Sequence, residues 1–202
     1  MLANPYSRAN FLKSAARVEQ LPPDTGVEIA FAGRSNAGKS SALNCLTGRQ
    51  LARTSKTPGR TQLINVFTLE NPDHRLIDLP GYGYAKVSLE IKQKWQENLS
   101  NYLEVRESLR GLVLLMDIRH PLKDLDKTML HWCVARQLPV HVLLTKADKI
   151  SRGQAQNTVL QVKKMYPLSE EFFSVQPFSS LKKQGIEDLI LVLNNWFMEN
   201  PS

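Results

Sequence analysis

Cysteine is scarce in this 202-residue chain: Cys45 and Cys133 stand alone, with no spacing that suits a zinc site or a disulfide framework. Both read as small buried thiols of a reducing cytosol. The four histidines, His74, His120, His131 and His141, form no ligand motif. Long apolar runs are missing too: every run falls far short of the ~18 residues that a membrane-spanning helix needs, and the N-terminal stretch has no signal-peptide apolar region. The expectation is a cytoplasmic chain without a membrane partner. No Gly/Ser/Pro-rich linker, low-complexity run or internal repeat divides it, so one compact domain accounts for most of its length. Acidic side chains are the last deficit, with 19 Asp and Glu against 26 Lys and Arg, for a net charge of +7 and a pI near 9.5. Such a balance draws a protein to polyanions.

What is present is a regular alternation of apolar runs with amphipathic stretches. Strands are expected at 27–32, 63–69, 74–78, 111–117, 140–145 and 172–178. Helices are expected at 39–48, about 88–105, about 124–136, about 152–165 and 185–198. That order predicts an α/β domain, a mostly parallel six-stranded sheet with one antiparallel edge strand and helices on both faces; the antiparallel hairpin turns at Asn71, Pro72 and Asp73. Residues 1–24 read as an N-terminal extension packing on a domain of residues 25–202. In the last helix Ile186, Leu189, Ile190, Leu193, Trp196 and Phe197 recur at three-and-four spacing, a stripe that reads as core packing.

Between the first strand and the first helix stands Gly33, Arg34, Ser35, Asn36, Ala37, Gly38, Lys39, Ser40, which fits the phosphate-loop pattern G-x-x-x-x-G-K-[ST] in its proper strand-to-helix setting. Backbone N–H groups of such a loop surround an anionic phosphate at a helix N-terminus. Lys39 would neutralise β- and γ-phosphate charge, and Ser40 would give a hydroxyl oxygen to Mg²⁺, a hard ion that takes oxygen ligands. Asp78, Leu79, Pro80 and Gly81 follow a short apolar strand; this places Asp78 to support Mg²⁺ through water and Gly81 to meet the γ-phosphate. Thr145, Lys146, Ala147 and Asp148 follow another, at the open end of the sheet where ligands collect in such folds. A fixed carboxylate there accepts both adjacent N–H donors of guanine, whereas adenine would leave it unpaired. Phe178, Ser179 and Ser180 end the last strand, in place to cap the base.

In order and spacing these segments resemble the GTPase superfamily. GRSNAGKSS (33–41), ARTSKTPGRTQ (52–62), DLPGYGYAKV (78–87), DIRHPLKDLD (117–126), TKADK (145–149) and FSSLKKQG (178–185) narrow the resemblance to the EngB (YihA/YsxC) family of bacterial TRAFAC-class GTPases. It covers nearly the whole chain. The resemblance implies a P-loop GTPase (Ras-like) fold, GTP/GDP and Mg²⁺ as ligands, and hydrolysis of GTP to GDP and phosphate. It also implies a role in assembly of the large (50S) ribosomal subunit, with a link to cell division and septation. Thr61 takes the part of the switch threonine whose hydroxyl joins Ser40 on Mg²⁺, flanked by Gly59, Arg60, Gln62 and Leu63. The surrounding Pro58 and Gly59 read as a mobile loop, of the kind that γ-phosphate orders and hydrolysis releases.

Two positions depart from the commonest GTPase pattern. Tyr82 follows Gly81 where many GTPases carry the glutamine that orients the attacking water, so slow intrinsic hydrolysis is expected. In related GTPases lacking that glutamine, an asparagine at the place of Asn36 coordinates K⁺ beside the phosphates. Two readings of Asn36 therefore stand side by side, a K⁺ ligand or a residue that merely tolerates an unusual backbone angle. Thr145 replaces the usual asparagine of the base motif, so a weaker bond to the base or the phosphate loop is expected, with modest nucleotide affinity and fast exchange.

Basic clusters at 49–60, 86–94, 163–164 and 182–183, with Tyr82, Tyr84 and Trp95 as stacking candidates, suit an RNA surface beside the switches. The expected partner is a large-subunit precursor, its rRNA and its ribosomal proteins, bound by a monomer. The competing expectation is a nucleotide-gated interaction module for division proteins, with hydrolysis incidental.

Overall fold

A computed structural model describes residues 4–52, 63–83, 89–169 and 171–198, with the side chains of 89–92 and 94–96 outside the description. Its seven strands are β1 (Asn10–Ala15), β2 (Val27–Gly33), β3 (Ile64–Thr68), β4 (His74–Asp78), β5 (Leu109–Asp117), β6 (Val140–Thr145) and β7 (Phe173–Pro177). The helices are α1 (Lys39–Thr47), α2 (Leu89–Val105), α3 (Asp124–Ala135), α4 (Arg152–Met165) and α5 (Ile186–Met198). They form one sheet in the order β1-β3-β4-β2-β5-β6-β7. β2, β4, β5, β6 and β7 pair in parallel, while β3 runs antiparallel to both β4 and β1.

The α/β class and the parallel core match the sequence expectation, and the strand count does not. β1 adds a seventh strand outside β3, so the antiparallel strand lies inside the sheet and not at its edge. Its physical origin explains why pattern reading missed it. Phe11 and Leu12 are exposed, and the register slips between Phe11 and Lys13, so Leu12 bulges. No period-two alternation survives that bulge. β1 is held by its pairing to β3 more than by an apolar face of its own.

The two sheet faces bury separate cores. On one, Leu99, Tyr102 and Leu103 of α2, Met129, Leu130 and Cys133 of α3, and Val159 and Val162 of α4 cover Ala30, Ile77, Leu112, Leu114 and Val142. On the other, Ala42, Leu43 and Leu46 of α1 and Leu189, Leu193 and Trp196 of α5 cover Ile29, Phe31, Leu76, Val113 and Leu143. The α5 stripe is thus core, as its spacing predicts. Gly111 permits the close approach of that helix: a Cβ there would lie 2.4 Å from Trp196 Cε3.

β2 carries one charge into this interior, Glu28, which is fully buried. It is matched by Arg75 Nε at 3.1 Å, by Arg106 Nη2 at 2.7 Å and Nε at 3.0 Å, and by the Tyr102 hydroxyl at 3.0 Å. A buried carboxylate persists only when paired and hydrogen-bonded in this way. The cluster ties β2, β4 and the end of α2 together at the N-terminal edge of the parallel strands, leaving the C-terminal edge for the loops that carry the sequence motifs.

Candidate functional site

β2 is a continuous buried strand because both its faces are covered, and it ends at Gly33, where a Cβ would stand 2.9 Å from the Leu115 carbonyl oxygen. The chain then turns through Arg34, Ser35, Asn36 and Ala37 to Gly38, which precedes α1. Asn36 (φ 66°) and Gly38 (φ 94°) both adopt left-handed backbone. Left-handed residues among right-handed neighbours turn successive N–H groups to one side and make an anion-binding concavity. A phosphate therefore fits this loop on its geometry. The loop is closed internally by Ala37 N–H donating to the Arg34 carbonyl at 2.9 Å and braced from outside by Ser35 N–H donating to the Tyr82 carbonyl at 2.7 Å.

Lys39 is the first residue of α1 and Ser40 the second. The Lys39 ammonium donates to Asp78 Oδ1, a largely buried ion pair at the C-terminal end of β4. Lysine and carboxylate thus meet where the sequence places phosphate and Mg²⁺. The donor set suits a hard cation bound mainly through substrate oxygens and water, with one carboxylate and one hydroxyl from the chain. Among the described residues no three His, Cys, Asp or Glu side chains gather into an all-protein metal site. Leu79 is buried and its N–H donates to the Phe31 carbonyl at 3.0 Å, which fixes the departure of the chain toward Pro80 and Gly81.

The base-recognition motif converges on the same loop. Thr145 ends β6, 3% exposed, and its hydroxyl lies 2.6 Å from the Ala37 carbonyl and 3.1 Å from that of Met116. Thr145 therefore keeps a bond to the phosphate loop despite lacking an amide. Lys146, in left-handed backbone, reaches the Asn36 carbonyl at 2.8 Å and Asp117 Oδ2 at 3.0 Å. Ala147 is buried and its N–H meets the Phe178 carbonyl at 3.1 Å. Asp148 Oδ1 accepts from the Ser179 hydroxyl at 2.6 Å, which lowers the carboxyl pKa and holds the group ionised. Ser179 is fully buried, as is Phe178, and the Ser180 carbonyl lies 3.5 Å from Cys45 Sγ on α1. Sites 33–40, 78–81, 145–148 and 178–180 are all gathered at one edge of the sheet. Leu63 stands exposed just before β3, while Gly59, Arg60, Thr61 and Gln62 lie outside the described residues.

Three features escaped the sequence reading. Tyr82 is buried at 1% exposure, and its hydroxyl donates to Asp126 Oδ1 of α3 at 2.6 Å. The expectation that Tyr82 stacks on unpaired bases is corrected by that burial; Tyr84 and the side chain of Trp95 lie outside the description. Asp117, given no role above, joins Arg119 (2.7 Å) with Lys146 (3.0 Å), and these cations, Arg119 first, hold its carboxyl well below the usual range. Its signal was its place at the end of β5, in register with Thr145. Asn65 of β3 donates to Asp78 Oδ2 at 3.2 Å, and no motif marked it.

Comparison with known proteins agrees with this geometry. Residues 28–146 match the family model described as 50S ribosome-binding GTPase. The chain is 56% identical over 194 residues to a protein of Pseudoalteromonas translucida (strain TAC 125) named "Probable GTP-binding protein EngB", covering 96% of this chain and 87% of that one. It is 58% identical to a protein of the same name from Aeromonas salmonicida (strain A449), covering 96% and 89%. Among solved structures, a probable GTP-binding protein engB superimposes with a TM-score of 0.72 over 86% of this chain and all of that one, at 24% identity.

Proposed function

The chain belongs to the EngB family of GTP-binding proteins, and we propose from that premise that it is a slow GTP-hydrolysing switch acting in assembly of the large (50S) ribosomal subunit. The observation that carries the nucleotide reading is the meeting of Lys39 with Asp78 at the mouth of a left-handed phosphate loop, with Thr145 and Lys146 closing on it from the base side. When GTP enters, Lys39 exchanges its carboxylate partner for the β- and γ-phosphates. Asp78 would thereby be released to support Mg²⁺ through water, with the Ser40 and Thr61 hydroxyls as the groups that would hold the ion. Bound there, Mg²⁺ would supply positive charge to offset that of the phosphates. Asp148, oriented by Ser179, takes the two guanine N–H donors; of the expected cap Phe178 to Ser180, the first two are sealed in the core, which leaves Ser180 to meet the base.

Slow hydrolysis follows from Tyr82. Its phenol is turned into α3 and bonded to Asp126, with burial and that carboxylate raising its pKa, so it neither orients water nor supplies charge to the phosphates. K⁺ recruited by Asn36 is the proposed compensation. The left-handed backbone of Asn36 also meets the simpler reading, and the two are compatible because backbone angle and side-chain ligation use different atoms.

The ribosomal client is supported by the description of the matched family and by the net charge of +7. The protein acts as a cytoplasmic monomer on precursor rRNA and ribosomal proteins; no described helix is long and apolar enough to cross a membrane. The test is co-sedimentation with mature and immature large-subunit particles, in GDP or a non-hydrolysable GTP analogue, across a salt series. Binding that requires the GTP analogue and falls steeply with salt is expected from phosphate contacts. Absence of binding in both states, with division proteins recovered instead, would replace the ribosomal client by the division-module reading.

A further inference from the structure

We infer that Asn65 is a positioning residue for the Mg²⁺ site, and that the first strand of the sheet sets its orientation through Ser14. The inference rests on the proposed place of Asp78 in the Mg²⁺ shell. Ser14, Asn65 and Asp78 face one another directly across β1, β3 and β4: Ser14 is in register with Asn65, and Asn65 with Asp78. The Ser14 hydroxyl lies 2.7 Å from Asn65 Oδ1, Asn65 Nδ2 lies 3.2 Å from Asp78 Oδ2, and Asp78 Oδ1 receives Lys39. The row runs on the α1 face, the side on which Phe67 and Leu76 are buried.

Donor and acceptor chemistry fixes the direction of this chain. An ionised carboxylate only accepts, so the Asn65 amide must turn its NH₂ to Asp78 and its carbonyl to β1. Ser14 then donates to that carbonyl and holds the amide in the productive orientation. With Oδ2 occupied by Asn65, the other carboxylate oxygen is left to Lys39, and in the nucleotide complex to metal-bound water. Partners of this kind orient a ligand shell, and their removal typically costs 10–100-fold in metal affinity. Among the described residues neither Ser14 nor Asn65 shares a hydrogen bond with Lys39 or Ser40, so phosphate and base binding without metal should be left alone.

The experiment follows release of a fluorescent GDP analogue while free Mg²⁺ is varied, because the ion bridges protein and phosphate and slows release. Asn65→Ala is expected to raise the Mg²⁺ concentration for half-maximal slowing about tenfold, with the rate in EDTA unchanged. Ser14→Ala should shift it less in the same direction, and Ser14→Thr, which retains a hydroxyl, should restore the wild-type value. An unmoved Mg²⁺ midpoint in Asn65→Ala, or release accelerated equally with and without Mg²⁺, overturns the assignment. Should Asn65→Ala not fold, the serine pair decides: no shift in Ser14→Ala overturns the relay. Asp78→Ala separates the two levels. A shift there with none in Asn65→Ala removes the relay alone, while no shift in Asp78→Ala removes the Mg²⁺ reading and the relay with it.

Discussion

Replacing Thr145 by valine tests how the base motif and the phosphate loop depend on each other. The side chain is buried, so valine preserves its volume and opens no cavity; what disappears is the hydroxyl donor 2.6 Å from the Ala37 carbonyl. A buried carbonyl deprived of its donor costs about 1–3 kcal/mol. Ala37 sits between the two left-handed residues Asn36 and Gly38, so loss of that anchor loosens the part of the loop that must be concave for phosphate. If about 1.4 kcal/mol of the loss falls on the binding-competent conformation, GDP affinity drops about tenfold. Thr145→Ser is the control. It keeps the hydroxyl and deletes a methyl, which lowers stability by about 1 kcal/mol and should leave affinity near wild type. Urea unfolding reads stability and titration with a fluorescent GDP analogue reads affinity. GDP bound as tightly by Thr145→Val as by Thr145→Ser would refute the anchoring role. The same titration checks the modest affinity expected of the wild-type protein, on the order of −8 kcal/mol; a nanomolar constant would contradict it.

Three further outcomes are expected. Asp148→Asn should shift preference from guanine to xanthine nucleotides in a competition assay, because xanthine replaces the exocyclic amine by a carbonyl; an unchanged preference removes Asp148 from base recognition. GTP turnover should be faster in K⁺ than in Na⁺ at equal ionic strength, and equal rates would leave Asn36 with its backbone role only. His141, sealed between Ser174 (2.7 Å) and Gln176 (2.8 Å), has its pKa lowered by burial from 6.5 to about 4. The unfolded chain takes up this proton near pH 6.5 and the native protein only near pH 4. The contribution is therefore complete above pH 6.5 and is lost as pH falls toward 4, amounting to about 2 kcal/mol between pH 7 and pH 5. His141→Gln should lose less stability than wild type over that interval in urea titrations, and parallel losses would show that His141 is not the group responsible.

The parts of this molecule legible in its sequence are those whose causes are local. β6 and α4 fall at the expected residues, because four apolar residues around His141 and a capped helix at Ser151 each announce themselves within a few positions. Lys39, Asp78, Thr145 and Asp148 were likewise legible, since each sits at a fixed offset from a strand end and the sheet delivers those ends to one edge. β1 was not, because its pairing with β3 bridges about fifty residues and its own side chains carry no alternation. Tyr82 shows the same limit at a single residue. Its place after Gly81 was readable, but its rotamer is set by Asp126, a partner 44 residues away on α3.

Departures from the GTPase pattern become intelligible once those distant partners are included. Thr145 lacks the amide usual at its position, yet its neighbour Lys146 bonds the Asn36 carbonyl as Thr145 bonds that of Ala37, so two consecutive loop carbonyls are held from the base side. Lys146 is held in turn by Asp117, and Asp148 by Ser179, whose neighbour Ser180 touches α1 through Cys45. The phosphate loop is therefore braced on this side by the base motif and on the other by Tyr82, whose carbonyl accepts from Ser35. Of these two braces only the second follows directly on Gly81, the residue assigned to the γ-phosphate. A ligand that moves Gly81 must disturb the Tyr82 contacts to the loop and to Asp126, whereas the Thr145 and Lys146 contacts can persist. Nucleotide state should accordingly be felt at α3 before it is felt at the base pocket, and amide exchange in α3 that is identical with GDP and a GTP analogue would contradict that order.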